Sequence, residues 1–140
     1  MTYYGRIDSD WDELRRVGRA FLEERARLEM DTTYTEMNAV LEHRTGLRAF
    51  DFDREDERAA MGHLLGLIVD ETFSSIRCLL SALVHYLNEN HAGPGFFELA
   101  AKRGLLPAGA SDDDKLVFWA DQVAAVFAAY RRPRRIRRRD

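Results

Sequence analysis

Cysteine occurs once in these 140 residues, at Cys78, so no disulfide can form within the chain and nothing points to an oxidising compartment. Lysine is scarce as well: only Lys102 and Lys115 stand beside nineteen arginines, a bias that a GC-rich coding sequence is enough to produce. Long apolar runs are missing. The richest stretch, Ala59 to Val69, is interrupted by His63 and falls short of the ~20 residues that span a bilayer. The opening MTYYGRIDSDWDELRR lacks the basic stretch and uninterrupted apolar core of a signal peptide, so the expected location is cytoplasmic. Neither an internal repeat nor an interdomain linker is visible.

Motifs for chemistry are equally sparse. The histidines are His43, His63, His85 and His91, and no two have the i,i+4 helical spacing of a zinc site. Ser81 and His85 would lie on one face of a strand but about 13 Å apart, too far for a nucleophile and its base. Gly93-Pro94-Gly95 has no Lys-Ser or Lys-Thr after it and so is not a phosphate loop. Cys78 has Arg77 beside it but begins an apolar run, which favours an inert buried thiol. The acidic pairs and runs, Asp70-Glu71 and Asp112 to Asp114, are explained by helix-end chemistry. No catalytic constellation, metal site or cofactor is expected.

What is present is a globular composition, 46% hydrophobic and 11% aromatic, of single-domain length. Charge is unevenly placed. The last ten residues hold seven arginines and one aspartate, a formal +6 against −3 for the whole chain, which leaves −9 for residues 1–130. The expected organisation is one helical domain over 1–130 and a basic tail over 131–140 that self-repels and is disordered in isolation.

Five helices are predicted. Ser9, with Asp12 and Glu13, starts a helix from about Asp10 to Met30, whose apolar stripe is Trp11, Leu14, Val17, Phe21 and Leu28. A capping box of Thr33 and Glu36 opens a short helix from Tyr34 to Arg44, closed by Gly46. Phe50 and Phe52 cover the core from a connector. Asp53 caps a third helix running to about Phe73, on which Gly62 and Gly66, four apart, are expected to let another backbone pack closely. Cys78 to Leu87 is predicted as a buried strand, because the turn cluster Asn88 to Gly95 follows it. A short helix from Phe96 to Arg103 and a last one from Asp112 to Tyr130 complete the chain.

The order from Thr33 onward, carried by TYTEMN, AAMGHLLGLI and LLSALVHY followed by GPG, resembles the winged-helix DNA-binding half of alkyltransferase-like proteins. That family's Pro-Cys-His-Arg motif is lacking, so its alkyl-transfer chemistry does not pass to Cys78. The stretch LLSALVHYLNENHAGPGFFELAAKRGLL, with Phe118-Trp119, also resembles a set of small bacterial proteins of unassigned function. The fold expectation is therefore a mainly α, compact, winged-helix-like domain with a short strand or β-hairpin.

Two functional expectations follow. In the first, a non-enzymatic regulatory protein binds nucleic acid through Arg54 and Arg58, a wing at Asn88 to Gly95, and the tail residues Arg131, Arg132, Arg134, Arg135, Arg137, Arg138 and Arg139. The −9 body opposes this, as do Glu55, Asp56 and Glu57 beside those arginines. In the second, an interaction module of immunity, antitoxin-like or adaptor type binds a protein through its acidic body. Either is compatible with a homodimer.

Overall fold

The computed structural model describes residues 2–86 and 93–131. It is a mainly α domain of five helices: α1 (Asp8–Arg27), α2 (Tyr34–Thr45), α3 (Glu55–Ile76), α4 (Pro94–Lys102) and α5 (Asp112–Tyr130). Four two-residue strands accompany them: β1 (Thr2–Tyr3), β2 (Arg6–Ile7), β3 (Thr32–Thr33) and β4 (Val84–His85). No described helix is long and apolar enough to cross a membrane.

The chain opens with an antiparallel β1–β2 hairpin that the sequence reading passed over as a lead. Its two turn residues, Tyr4 and Gly5, both have positive φ, as a tight hairpin turn of primed type requires. The Trp11 indole N–H donates to the Tyr3 carbonyl at 2.8 Å and pins the hairpin to α1. That helix starts at Asp8, without side-chain capping, so Ser9 lies inside it and is not its cap. It stops at Arg27, and Leu28, assigned to the apolar stripe, is exposed beyond the end.

Helix α2 matches its prediction, with Gly46 in the left-handed conformation at its end. Its capping box is half formed. The Thr33 hydroxyl accepts from the Glu36 amide, whereas the Glu36 carboxylate takes the Thr32 hydroxyl and Arg25 instead. The cap position of α3 is Arg54, not Asp53, whose amide donates to Asp51, and α3 continues to Ile76. Ser111 and Asp114 form a full capping box on α5, so those acids do serve the helix end.

The largest correction concerns Cys78 to Leu87, of which Leu87 lies outside the described residues. The segment is a single turn of 3-10 helix, Leu80–Leu83, followed by the two residues of β4, which pair parallel with β3. Every residue from Cys78 to Val84 is buried. A 3-10 turn has three residues per turn, so positions three apart share a face. Leu80 and Leu83 accordingly join the larger core with α1, α2 and α3, while Leu79 and Ala82 join a second cluster with Val69, Phe96, Ala100 and Leu106. A buried irregular segment must satisfy its backbone polar groups elsewhere. Helix α5 does this from both ends, since Gln122 accepts from the Leu79 amide and the Trp119 indole donates to the Ala82 carbonyl, each at 2.8 Å.

Candidate functional site

A groove of about 960 Å³ runs along α3 between the start of α2 and the start of α4. Its floor is the α3 face bearing Ala59, Gly62 and Gly66. The spacing of the two glycines was legible, but the close packing expected of them does not occur within the chain: a Cβ at either position meets no described atom within 4 Å. The bare helix surface instead faces the groove.

Aromatic side chains make one wall. Tyr34 sits 5.0 Å from Tyr86 and 6.4 Å from Phe52, centroid to centroid, so three rings offer their faces and edges together. Gly93 closes this wall, because a Cβ there would lie 3.0 Å from the Tyr86 hydroxyl and 3.2 Å from that of Tyr34. A side chain at this position would crowd both tyrosines, whereas the backbone conformation there, φ −73°, is open to any residue. Gly93, Pro94 and Gly95 are the cap and first residues of α4, with proline at the start of the helix where its missing N–H costs nothing. Of the wing assigned to Asn88 to Gly95, residues 88–92 lie outside the described part, and the last three belong to this helix start.

Burial, then the neighbouring Tyr86, pushes the Tyr34 phenol up from 10.0 to about 12, against an opposing hydrogen bond from the Gly93 backbone. A phenol held neutral in the fold contributes stability below pH 10 that is lost as pH rises toward 12. Tyr34→Phe is therefore expected to remove on the order of 2 kcal/mol of the loss seen in urea denaturation between those pH values. Tyr130, which donates to Glu23 at 2.7 Å, is also raised by burial and by that carboxylate, so a smaller alkaline slope is expected to persist.

Polar and charged side chains line the groove beside the aromatic ones. Glu55, Asp70 and Glu98 stand against Arg58 and Lys102 on its rim. At one end His63 packs edge-on against Trp11 and Tyr3, and burial pulls its imidazole below the ordinary value, with Asp70 opposing. At the inner wall is Ser81, 3% exposed, whose Oγ has no hydrogen-bond partner among the described residues. Within the 3-10 turn it stands between Leu80 and Ala82, and it lines the groove.

The residues singled out for nucleic acid are engaged differently. Arg54 forms a forked pair with Asp56 at 3.0 and 2.6 Å. Arg58 donates to the Phe52 carbonyl at 2.6 Å, and Arg131 pairs with Glu29 at 2.7 Å. Arg132, Arg134, Arg135, Arg137, Arg138 and Arg139 lie outside the described residues. No family model, curated protein or solved structure matches this chain. The functional reading accordingly rests on the residues themselves.

Catalytic alternatives find other employment. His85 has both ring nitrogens facing oxygens, Nδ1 2.8 Å from the Tyr86 carbonyl and Nε2 2.9 Å from the Asp31 carboxylate, so neither is directed to Ser81. Cys78 is buried, and burial raises its thiol pKa. Asp70 pairs with Arg103, and Glu71 with Arg15 and Arg19. Among the described residues no cluster of three His, Cys, Asp or Glu side chains could hold a metal ion.

Sequence reasoning missed the groove because its wall residues looked structural. Tyr34 was a helix start, Phe52 a core cover and Tyr86 a strand residue. The one available signal was the pair of glycines four apart on α3.

Proposed function

We propose that this chain is a non-enzymatic interaction module that binds an extended segment of a protein partner in the groove along α3. The observation that carries this reading is the groove's construction: a glycine floor a backbone can approach, an aromatic wall, and a buried hydroxyl with no partner among the described residues. Ligand sites are mostly apolar concavities with a few placed polar groups, and aromatic-lined grooves suit extended peptides whose rigid backbone is cheap to order. The −9 of residues 1–130 favours a protein over a polyanion. A reducing cytoplasm suits the single buried thiol.

Gly66→Trp tests this. A side chain there enters open space, so the fold is expected to persist while the groove fills. A displayed library of random peptides is expected to yield a consensus that binds the full chain and loses at least about a hundredfold in affinity to the variant. No enriched peptide, or binders indifferent to Gly66→Trp, would sink the proposal. The arginine tail favours the nucleic-acid reading, which takes its place if the library fails while duplex DNA binds with a steep salt dependence that truncation after Arg132 weakens.

A further inference from the structure

Helix α5 carries an outward face unlike that of any ordinary surface helix. At 100° per residue, Asp113, Val117, Ala120, Ala124, Ala128 and Arg131 fall within roughly an 80° arc, and all six are exposed. Val117 is 61% exposed, with Leu116 at the edge of the same face at 47%. Helix α1 shows what a solvated face looks like here, its outer positions laced by Arg15–Asp12, Arg16–Glu13 and Arg19–Glu23 ion pairs. The α5 stripe itself has no charge between its ends, and the exposed Asp121 borders it about 20° beyond Ala128, as Leu116 borders its other side about 40° beyond Ala120. A helix apolar on every side belongs in an interior.

The two ends of the stripe carry opposite charge. Asp112, Asp113 and Asp114 form the first turn, and Arg131, which is also paired with Glu29 but keeps 64% of its side chain exposed, closes the helix. Asp113 and Arg131 are five turns apart and so point the same way. We infer that this face is the interface of a symmetric dimer in which α5 packs antiparallel against α5 of a second copy. Antiparallel pairing about a two-fold near Gln122 sets Asp113 opposite the other copy's positive end and lays alanine against alanine, where small side chains let helices approach closely. The patch is thus self-complementary, as a two-fold interface must be. A parallel pairing would oppose acid to acid and arginine to arginine. None of the described α5 residues lines the groove, so this surface is independent of the peptide site.

Sedimentation equilibrium of the full chain across the micromolar range is the test. A monomer–dimer equilibrium that weakens with added salt is expected. Ala124→Glu sets like charges across the two-fold and is expected to weaken association by about a hundredfold or more, with the far-ultraviolet circular dichroism unchanged. Asp113→Arg and Arg131→Asp are each expected to weaken it at low salt, and the two together to restore it. A chain that stays monomeric, a dimer indifferent to Ala124→Glu, or a double swap no stronger than its singles overturns the inference. Gly66→Trp is expected to leave the association constant unchanged, which separates this interface from the groove.

Discussion

Replacing Glu57 by alanine is expected to destabilise the fold by about 3–5 kcal/mol, a large part of the 5–15 kcal/mol typical of a domain, measured as a fall in the urea midpoint. Glu57 is 3% exposed, and its Oε1 accepts from Arg48 at 2.7 Å, from the Asp51 amide at 3.3 Å and from Arg6 at 3.5 Å. Arg6 is as deeply buried, stacked 4.2 Å over the Phe50 ring and bonded to the Arg48 carbonyl at 3.0 Å. Burial, then the nearby Arg48, already lowers the Arg6 guanidinium pKa. Removing the carboxylate strands that cation inside the fold, where it can neither reach water nor deprotonate at neutral pH. Arg48 is half exposed, so its own truncation is expected to cost no more than about 1 kcal/mol. A joint Arg6→Met, Glu57→Leu exchange is expected to recover most of the loss, since an apolar pair of similar volume has no charge to desolvate. A cost below about 1 kcal/mol for Glu57→Ala would show the pair to be hydrated in solution.

That ion pair was hidden in the sequence for a general reason. Arg6 and Glu57 are far apart in the chain, Arg6 standing between Gly5 and Ile7 and Glu57 among charged residues that are exposed. Nothing in Asp-Arg-Glu-Asp-Glu-Arg, residues 53–58, marks the fifth as the buried one. Local signals were read well where the cause is local. Thr33 before Glu36, Gly46, and Ser111 before three aspartates all mark helix ends in the structure, because capping depends on groups within one turn. Signals failed where the outcome is tertiary. Ser9 can cap a helix but does not, since the hairpin before it already directs the chain into α1 at Asp8.

The glycines of α3 form an intermediate case. Their spacing was legible as a bare strip on a helix, and the strip exists. Which neighbour would use it depended on the path of the chain after Leu83, and that path was misread. A strand of ten residues would have crossed the core in one direction. A 3-10 turn gathers the chain more tightly, and Tyr86 ends beside Tyr34 and Gly93 at the groove wall.

The segment from Leu79 to Leu83 also separates stability from function most sharply. Leu80 is fully buried in the larger core, and Leu80→Ala is expected to cost about 2–5 kcal/mol by lost transfer energy and the cavity left behind. The next residue should behave oppositely. Ser81 is as well buried as its neighbours, yet its hydroxyl has no partner among the described residues, and a buried unpaired hydroxyl is a cost that alanine removes. Ser81→Ala is expected to leave stability unchanged or raise it by up to about 1 kcal/mol in the same denaturation experiment. Peptides selected on the groove are expected to bind it roughly tenfold more weakly, the value of one hydrogen bond made in a site that excludes water. A Ser81→Ala loss of more than about 1 kcal/mol would mean that the hydroxyl has an internal role in folding, and the groove would lose its one inward polar anchor. Stability kept and affinity lost would instead assign the residue to the ligand. Apolar residues fill every other position of this turn because two cores close on it, and that outcome would explain the one serine among them by its place at the groove wall.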